Sequence, residues 1–306
     1  MKTLKDVCKN CTDATRKVYS TTIRRLFKIY SGDPIKTMNE LPKTKTWLMS
    51  EKLENKYKKF PYNVRRHLST AAFIATKLYS IKPDNKWNTH MIKDAQKYEA
   101  SRGRNEKSPY EQKHLPKNGL QDVQKALKTY KIQINSIFKK TPSLQNLYKY
   151  QLYIALKLMS TNTPFRNDLP TINVESEAKG NYLVKNKNTY KIIMTDFKNS
   201  DKVGPKEVKL NRANSMEMKR FLKYRDAVVD HEFLFSLKSG KPMTKSAFSQ
   251  ALIKLTENLL GKRVGSRLIR VLFATSKKID LQKADDISNQ MLHSKTGLQT
   301  RKYVRK

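Results

Sequence analysis

Apolar positions recur at helical spacing through most of the chain. Over residues 13–30 (DATRKVYSTTIRRLFKIY), Val18, Ile23, Leu26, Phe27 and Tyr30 form one stripe, which predicts a helix. The same reading predicts helices over 44–58 (around Trp47, Leu48 and Leu53), from Pro61 to Tyr79, and over 88–101. Pro83 separates the last two. Residues 101–118 (SRGRNEKSPYEQKHLPKN) break the period with glycine, two prolines and dense charge, as a linker does. Helices are predicted again over 119–138 and 143–160, the second with Tyr148, Leu152, Ala155, Leu156 and Met159 on one face. The period then changes to two. Tyr182–Val184 and the alternating Tyr190, Ile192 and Met194 flank KNKN, which predicts a hairpin, and Val208 and Leu210 mark a third strand. Helical spacing returns at 215–229, 244–260, 264–277 and 281–292. The predicted fold is mainly α with a small antiparallel β-sheet in the C-terminal domain. A helical domain occupies 1–105, a linker 106–118, and the second domain 119–306.

Composition adds a partner. The chain has 306 residues, 38% hydrophobic and 29% charged, enough for two globular domains. Its 64 Lys and Arg against 26 Asp and Glu leave a net charge of +38, spread along the whole length. Such an excess bears on partners rather than fold, and the matching partner is a polyanion, nucleic acid. No apolar run reaches the ~18 residues of a membrane span, and the N-terminus MKTLKDVCKNC lacks the apolar core of a signal peptide. The expected location is intracellular (host nucleus, cytoplasm or viral factory), and not secreted. The abundance of Lys and Asn points to an AT-rich virus or mobile element. Cys8 and Cys11 have C-x-x-C spacing, but tetrahedral zinc needs four ligands and no histidine is near. They are expected to be two reduced thiols.

Several residues carry candidate chemistry. Arg166 lies just past the 143–160 helix, and its planar fork suits a phosphate. Lys198 follows a strand in MTDFKNSDK, with Lys202 in the same loop. Arg267 and Arg270 stand three apart in GSRLIRVLFATS, where two like charges on one helix face favour an anion between them. His293 in MLHS could donate to a phosphate oxygen, and Tyr303 could supply a phenolic nucleophile. In the first domain, Arg24, Arg25, Arg65 and Arg66 are candidate phosphate contacts, which position a protein on DNA without reading sequence. No G-x-x-x-x-G-K-[ST] loop occurs, and the scattered carboxylates count against a two-metal nuclease.

In this order the residues resemble the tyrosine recombinases, or phage-integrase family, over roughly 113–306. YQLYIALKLMSTNTPFRNDLPTI resembles the segment carrying the family's first arginine, here Arg166. TDFKNSDKVGP resembles the β section with the lysine, here Lys198, and GSRLIRVLFATS resembles the H-x-x-R box, whose arginine is Arg270. QMLHSKTGLQTRKYVRK resembles the final box, with His293 and the nucleophile Tyr303. The sequence departs from the family at Arg267, which stands where histidine is usual, and in a His-to-Tyr interval of ten, one longer than expected. The resemblance implies a two-domain clamp on double-stranded DNA. Tyr303 would form a 3′-phosphotyrosyl link and free a 5′-hydroxyl. Arg166 and Arg270 would clamp the phosphate with Arg267 and His293 assisting, and Lys198 would act as general acid. No cofactor, metal or ATP is implied, and self-assembly into a tetramer on paired DNA sites is. Two other readings stay open: DNA relaxation of the type IB topoisomerase kind, and a non-catalytic DNA-binding or packaging protein that keeps the fold.

Overall fold

The computed structural model describes residues 1–103, 106–162, 164–175, 179–198 and 200–276, apart from the side chains of Arg102 and Lys202. The chain divides into two compact units, Met1–Arg104 and Asn105–Lys306. No described helix is long and apolar enough to cross a membrane.

The first unit is helical: α1 (Leu4–Val7), α2 (Asp13–Ser31), α3 (Thr46–Met49), α4 (Glu51–Lys58), α5 (Tyr62–Leu78) and α6 (Lys86–Gly103). The apolar stripe of α2 buries Ile23 and Leu26 but leaves Val18 exposed. Two tryptophans anchor the core, and each finds the partner that a buried indole N–H needs. Trp87 donates to the Leu48 carbonyl at 2.8 Å, and Trp47 to the Tyr79 hydroxyl at 3.0 Å. The single helix expected over 44–58 is split in two. Ser50 takes extended backbone and its hydroxyl accepts from the Leu53 N–H, starting α4 with an N-cap. Cys8 and Cys11, expected as reduced thiols, are joined by a disulfide. The turn between α1 and α2, closed by a Cys11 N–H to Cys8 carbonyl bond of 3.0 Å, brings their Cα atoms to 5.3 Å, within disulfide span.

The second unit begins with α7 (Pro109–His114), so the stretch 106–118 expected as a linker holds a helix. A capping box between Ser108 and Glu111, with proline at its start, stabilises that helix. Next come α8 (Leu120–Ile137) and α9 (Leu144–Thr161). Helix α9 runs through the centre of the core and is buried on nearly every side, from Leu147 to Ser160. Its one buried amide is matched: Gln151 donates to the Ser236 carbonyl at 2.6 Å and accepts from the Ser236 N–H at 2.9 Å.

After a 3₁₀ turn (Leu169–Thr171) come the strands β1 (Ile172–Asn173), β2 (Asn181–Asn186), β3 (Thr189–Met194) and β4 (Lys206–Lys209), with the short α10 (Ser200–Val203) between β3 and β4. The sheet order is β1-β2-β3-β4. The expected antiparallel hairpin pairs Leu183 with Ile192, and β4 extends it with Val208 opposite Ile192. The sheet is mixed rather than purely antiparallel, because β1 joins β2 in parallel. Tyr190, Ile192 and Met194 face inward in the predicted alternation.

Three helices complete the unit: α11 (Arg212–Asp226), α12 (Lys245–Leu260) and α13 (Ser266–Ser276). The turn from α12 to α13 is built by Gly261, in the left-handed conformation at φ 63°, and by Thr256. The buried Thr256 hydroxyl accepts from the Val264 N–H at 2.9 Å, so the entry to α13 is fixed by a polar clasp inside the core.

Acid sensitivity of the first unit follows from Glu54. Lys58, at 2.7 Å, holds its carboxyl down at about 2, from an ordinary 4.5, with burial opposing and Lys86 and His90 assisting. Between those two values the folded state binds fewer protons than the unfolded one. The contribution is therefore complete above the unfolded value and is lost as pH falls through the folded one. Urea unfolding should show a midpoint that falls between about pH 5 and pH 2.5. Glu54→Gln should flatten that fall, and identical pH slopes in the two proteins would remove Glu54 as its source.

Candidate active site

Four segments far apart in sequence make up the candidate site in the second unit, and side-chain bonds tie the first three together. The first is the stretch after α9. Phe165 and Leu169 are buried and anchor it, leaving Arg166 half-buried between them. The Arg166 Nε is buried with no hydrogen-bond partner among the described residues. A buried guanidinium nitrogen in that state is costly, and an anion is its complement. The next two residues tie the segment down. Asn167 Oδ1 accepts from the Ser266 hydroxyl at 2.6 Å, and Asp168 Oδ1 pairs with the Lys245 ammonium at 2.9 Å.

Those partners belong to the second and third segments. Lys245 is the first residue of α12 and Ser266 the first of α13. The Asn167–Ser266 bond therefore brings the Arg166 segment to the opening turn of the helix that carries Arg267 and Arg270. On that helix the two arginines differ. Arg270 is 4% exposed and sits among the buried residues of α13. A guanidinium keeps its charge even there, since it does not deprotonate in proteins. The Arg267 side chain is 62% exposed and reaches Glu111 of α7 at 2.9 Å, where the carboxylate is 1% exposed. The anion that the two like charges call for is, at Arg267, supplied by this chain.

The fourth segment is the exit of β3. Lys198 is exposed in the turn after the buried Phe197, and the chain continues into α10. Lys202 falls in α10, and its side chain lies outside the described residues, as do His293 and Tyr303 altogether.

In the first unit the four arginines have different surroundings. Arg65 is bound to the buried Asp94 at 2.9 Å, alongside the Tyr57 hydroxyl that also donates to Asp94. It works as a bracket between α5 and α6. Arg66 stacks on the Tyr98 ring at 3.7 Å from its centroid, and Arg24 donates to the Lys36 carbonyl. Arg25 is exposed, with its guanidinium 5.9 Å from the Phe60 ring centroid. Sequence reasoning did not single out Glu111, Asn167, Asn181, Lys245 or Ser266. The capping-box spacing of Ser108 and Glu111 was readable, but its second use, on a residue more than 150 positions away, had no sequence signal.

No protein-family model matches the sequence, and no curated protein is similar to it in sequence. Solved structures are similar in three dimensions. The XerH site-specific recombinase bound to difH substrate, in a pre-cleavage complex, is 16% identical with a TM-score of 0.55. The match covers 98% of this chain and 80% of that one. The same recombinase bound to palindromic difH substrate, in a post-cleavage complex, is 15% identical with a TM-score of 0.55 over 98% and 79%. XerA recombinase is 13% identical with a TM-score of 0.44 over 97% and 89%. The chain thus has the fold of the XerH recombinase: mostly helical, with a small mixed sheet in its second unit.

The Arg267–Glu111 pair is asymmetric, and that is measurable. Arg267→Gln leaves a carboxylate buried without this cation and should cost about 3 kcal/mol of stability. Glu111→Gln leaves an arginine that water can still solvate and should cost about 1 kcal/mol. Urea unfolding of the two variants and the double variant would measure both costs and their coupling. A larger cost for Glu111→Gln would overturn this account of the pair.

Proposed function

We propose that this protein is a tyrosine recombinase: it cleaves and rejoins DNA at specific sites through a 3′-phosphotyrosyl intermediate. The observation that carries this reading is the Asn167–Ser266 hydrogen bond, which joins the Arg166 segment to the start of the Arg270 helix. Two arginine-bearing segments separated by about a hundred residues are thereby held to one place. The shared fold with a site-specific recombinase and the net charge of +38 support the same reading. So does the order of Arg166, Lys198, Arg270, His293 and Tyr303 along the chain.

In this mechanism the Tyr303 phenol loses its proton to solvent as its oxygen attacks a DNA phosphorus. The new P–O bond forms as the bond to the 5′ oxygen breaks, and Lys198 gives that leaving oxygen a proton. Arg166 and Arg270 neutralise charge on the non-bridging oxygens, with His293 donating a further hydrogen bond. Arg267 adds positive potential while staying oriented by Glu111. Attack by a 5′-hydroxyl of a partner duplex reverses the step and exchanges strands. The link stores the bond energy, so the chemistry needs neither ATP nor a metal. The protein acts as a tetramer on paired DNA sites, wherever that DNA lies, as the product of a virus or mobile element. In the first unit Arg24, Arg25, Arg65 and Arg66 are phosphate contacts, with Arg25 the exposed one of the four.

A duplex library with a nick beside a randomised core tests the reading, because the freed end diffuses away and traps the covalent state. The wild type should give an SDS-stable protein–DNA adduct, and Tyr303→Phe should give none. Arg166→Ala and Arg270→Ala should each slow adduct formation by about 10²-fold or more. Equal adduct from Tyr303→Phe would strip that residue of its role. Absence of adduct from the wild type, with DNA binding retained, would favour a non-catalytic DNA-binding protein. Adduct with plasmid relaxation but no strand exchange would favour a topoisomerase.

A further inference from the structure

Asn181 opens β2 and is 2% exposed. A primary amide has two N–H donors and an oxygen with two lone pairs, and here all four are used. Its Nδ2 donates to the Thr171 hydroxyl oxygen at 2.8 Å and to the Asp196 carbonyl at 2.7 Å. Its Oδ1 accepts from the backbone N–H groups of Thr195 and Asp196, each at 2.9 Å. The Thr171 hydroxyl passes the link on by donating to the Asp168 carbonyl at 2.7 Å.

The position of this network matters more than its size. The β3–β4 ladder ends at Met194, paired with Lys206, so the next two N–H groups have left the sheet. Asn181 supplies the acceptor that the ladder no longer provides. Asp196, held from both sides of its peptide, lies two residues before Lys198. Thr171 and Asp168 lie in the turn just after Arg166. One buried side chain therefore joins the base of the lysine loop to the arginine segment. The Thr195 hydroxyl, donating to the Gly180 carbonyl at 2.6 Å, pins the same base a second time.

We propose that Asn181 is a positioning residue for Lys198, setting the lysine loop in register with the Arg166 segment so that one phosphate meets both cations. The proposal rests on the recombinase reading. Asn181 touches no reacting atom in this role, and its effect passes through the proton that Lys198 delivers to the leaving 5′ oxygen.

The test uses the leaving group. A duplex selected from the nicked library is made with a 5′-bridging sulfur in place of oxygen at the cleaved bond. A thiolate, from a thiol of pKa about 8.5, departs without the proton that an alkoxide requires. On the oxygen substrate, Asn181→Ala and Lys198→Ala should each slow adduct formation by about 10²-fold. On the sulfur substrate both should return to within about tenfold of the wild type. Thr171→Val, which removes one of the four bonds and keeps the shape, should show a smaller loss with the same recovery. It also carries the comparison if Asn181→Ala does not fold. Recovery by Lys198→Ala without recovery by Asn181→Ala or Thr171→Val would assign Asn181 to stability alone and overturn the proposal. No adduct from the wild type on either substrate would instead remove the recombinase reading, and this one with it.

Discussion

In a chain with 64 cationic and 26 anionic side chains, placing a carboxylate inside the protein is the constraint on which the rest depends. Four carboxylates are buried among the described residues: Asp94, Glu111, Asp168 and Glu217. Each holds at least one cation. Asp94 takes Arg65, Glu111 takes Arg267, Asp168 takes Lys245, and Glu217 takes both Lys131 and Lys157. A buried ion pair adds little net stability, because desolvation offsets attraction, but removing one partner is severe. Such pairs specify arrangement more than they stabilise it. Two of the four sit at the candidate site, and they join it to α7 and α12, which carry none of the residues proposed for the chemistry.

Like charges brought close together repel one another. The fold answers with rigid neutral ties and local anions. The Asn167–Ser266 bond, the Thr256 clasp and the Asn181 network are uncharged and tolerate burial because their polar groups find partners. Asp168 and Glu111 supply negative charge there, to Lys245 and Arg267. The Arg166 Nε is buried with no hydrogen-bond partner among the described residues, as are the Nε atoms of Arg24 and Arg66.

The four highlighted arginines of the first unit have different surroundings. All four look alike in the sequence, yet Arg65 braces Asp94, Arg66 lies on Tyr98, Arg24 caps a carbonyl, and only Arg25 is exposed. The difference lies in what α6 and the 32–45 segment bring opposite α2 and α5, which are contacts between residues distant in sequence. Glu111 has the same history: its capping box is a local pattern, while its hold on Arg267 depends on where α13 comes to rest.

Local pattern did determine much. The helices α2, α5, α8, α9, α12 and α13 and the β2–β3 hairpin follow the periods of their apolar residues, because burial on one face demands that spacing. The sequence alone also carried the positive charge and the order of the candidate catalytic residues. Where a single polar atom redirected the backbone, pattern was insufficient: Ser50 split a predicted helix, and Ser108 with Glu111 built one inside a predicted linker. The parallel strand β1 and the meeting of the segment after Arg166 with Lys245 and α13 were decided only by the tertiary structure. Those features depend on hydrogen bonds and ion pairs whose partners are set by packing, and a periodicity records which side of an element is buried but not what it is buried against.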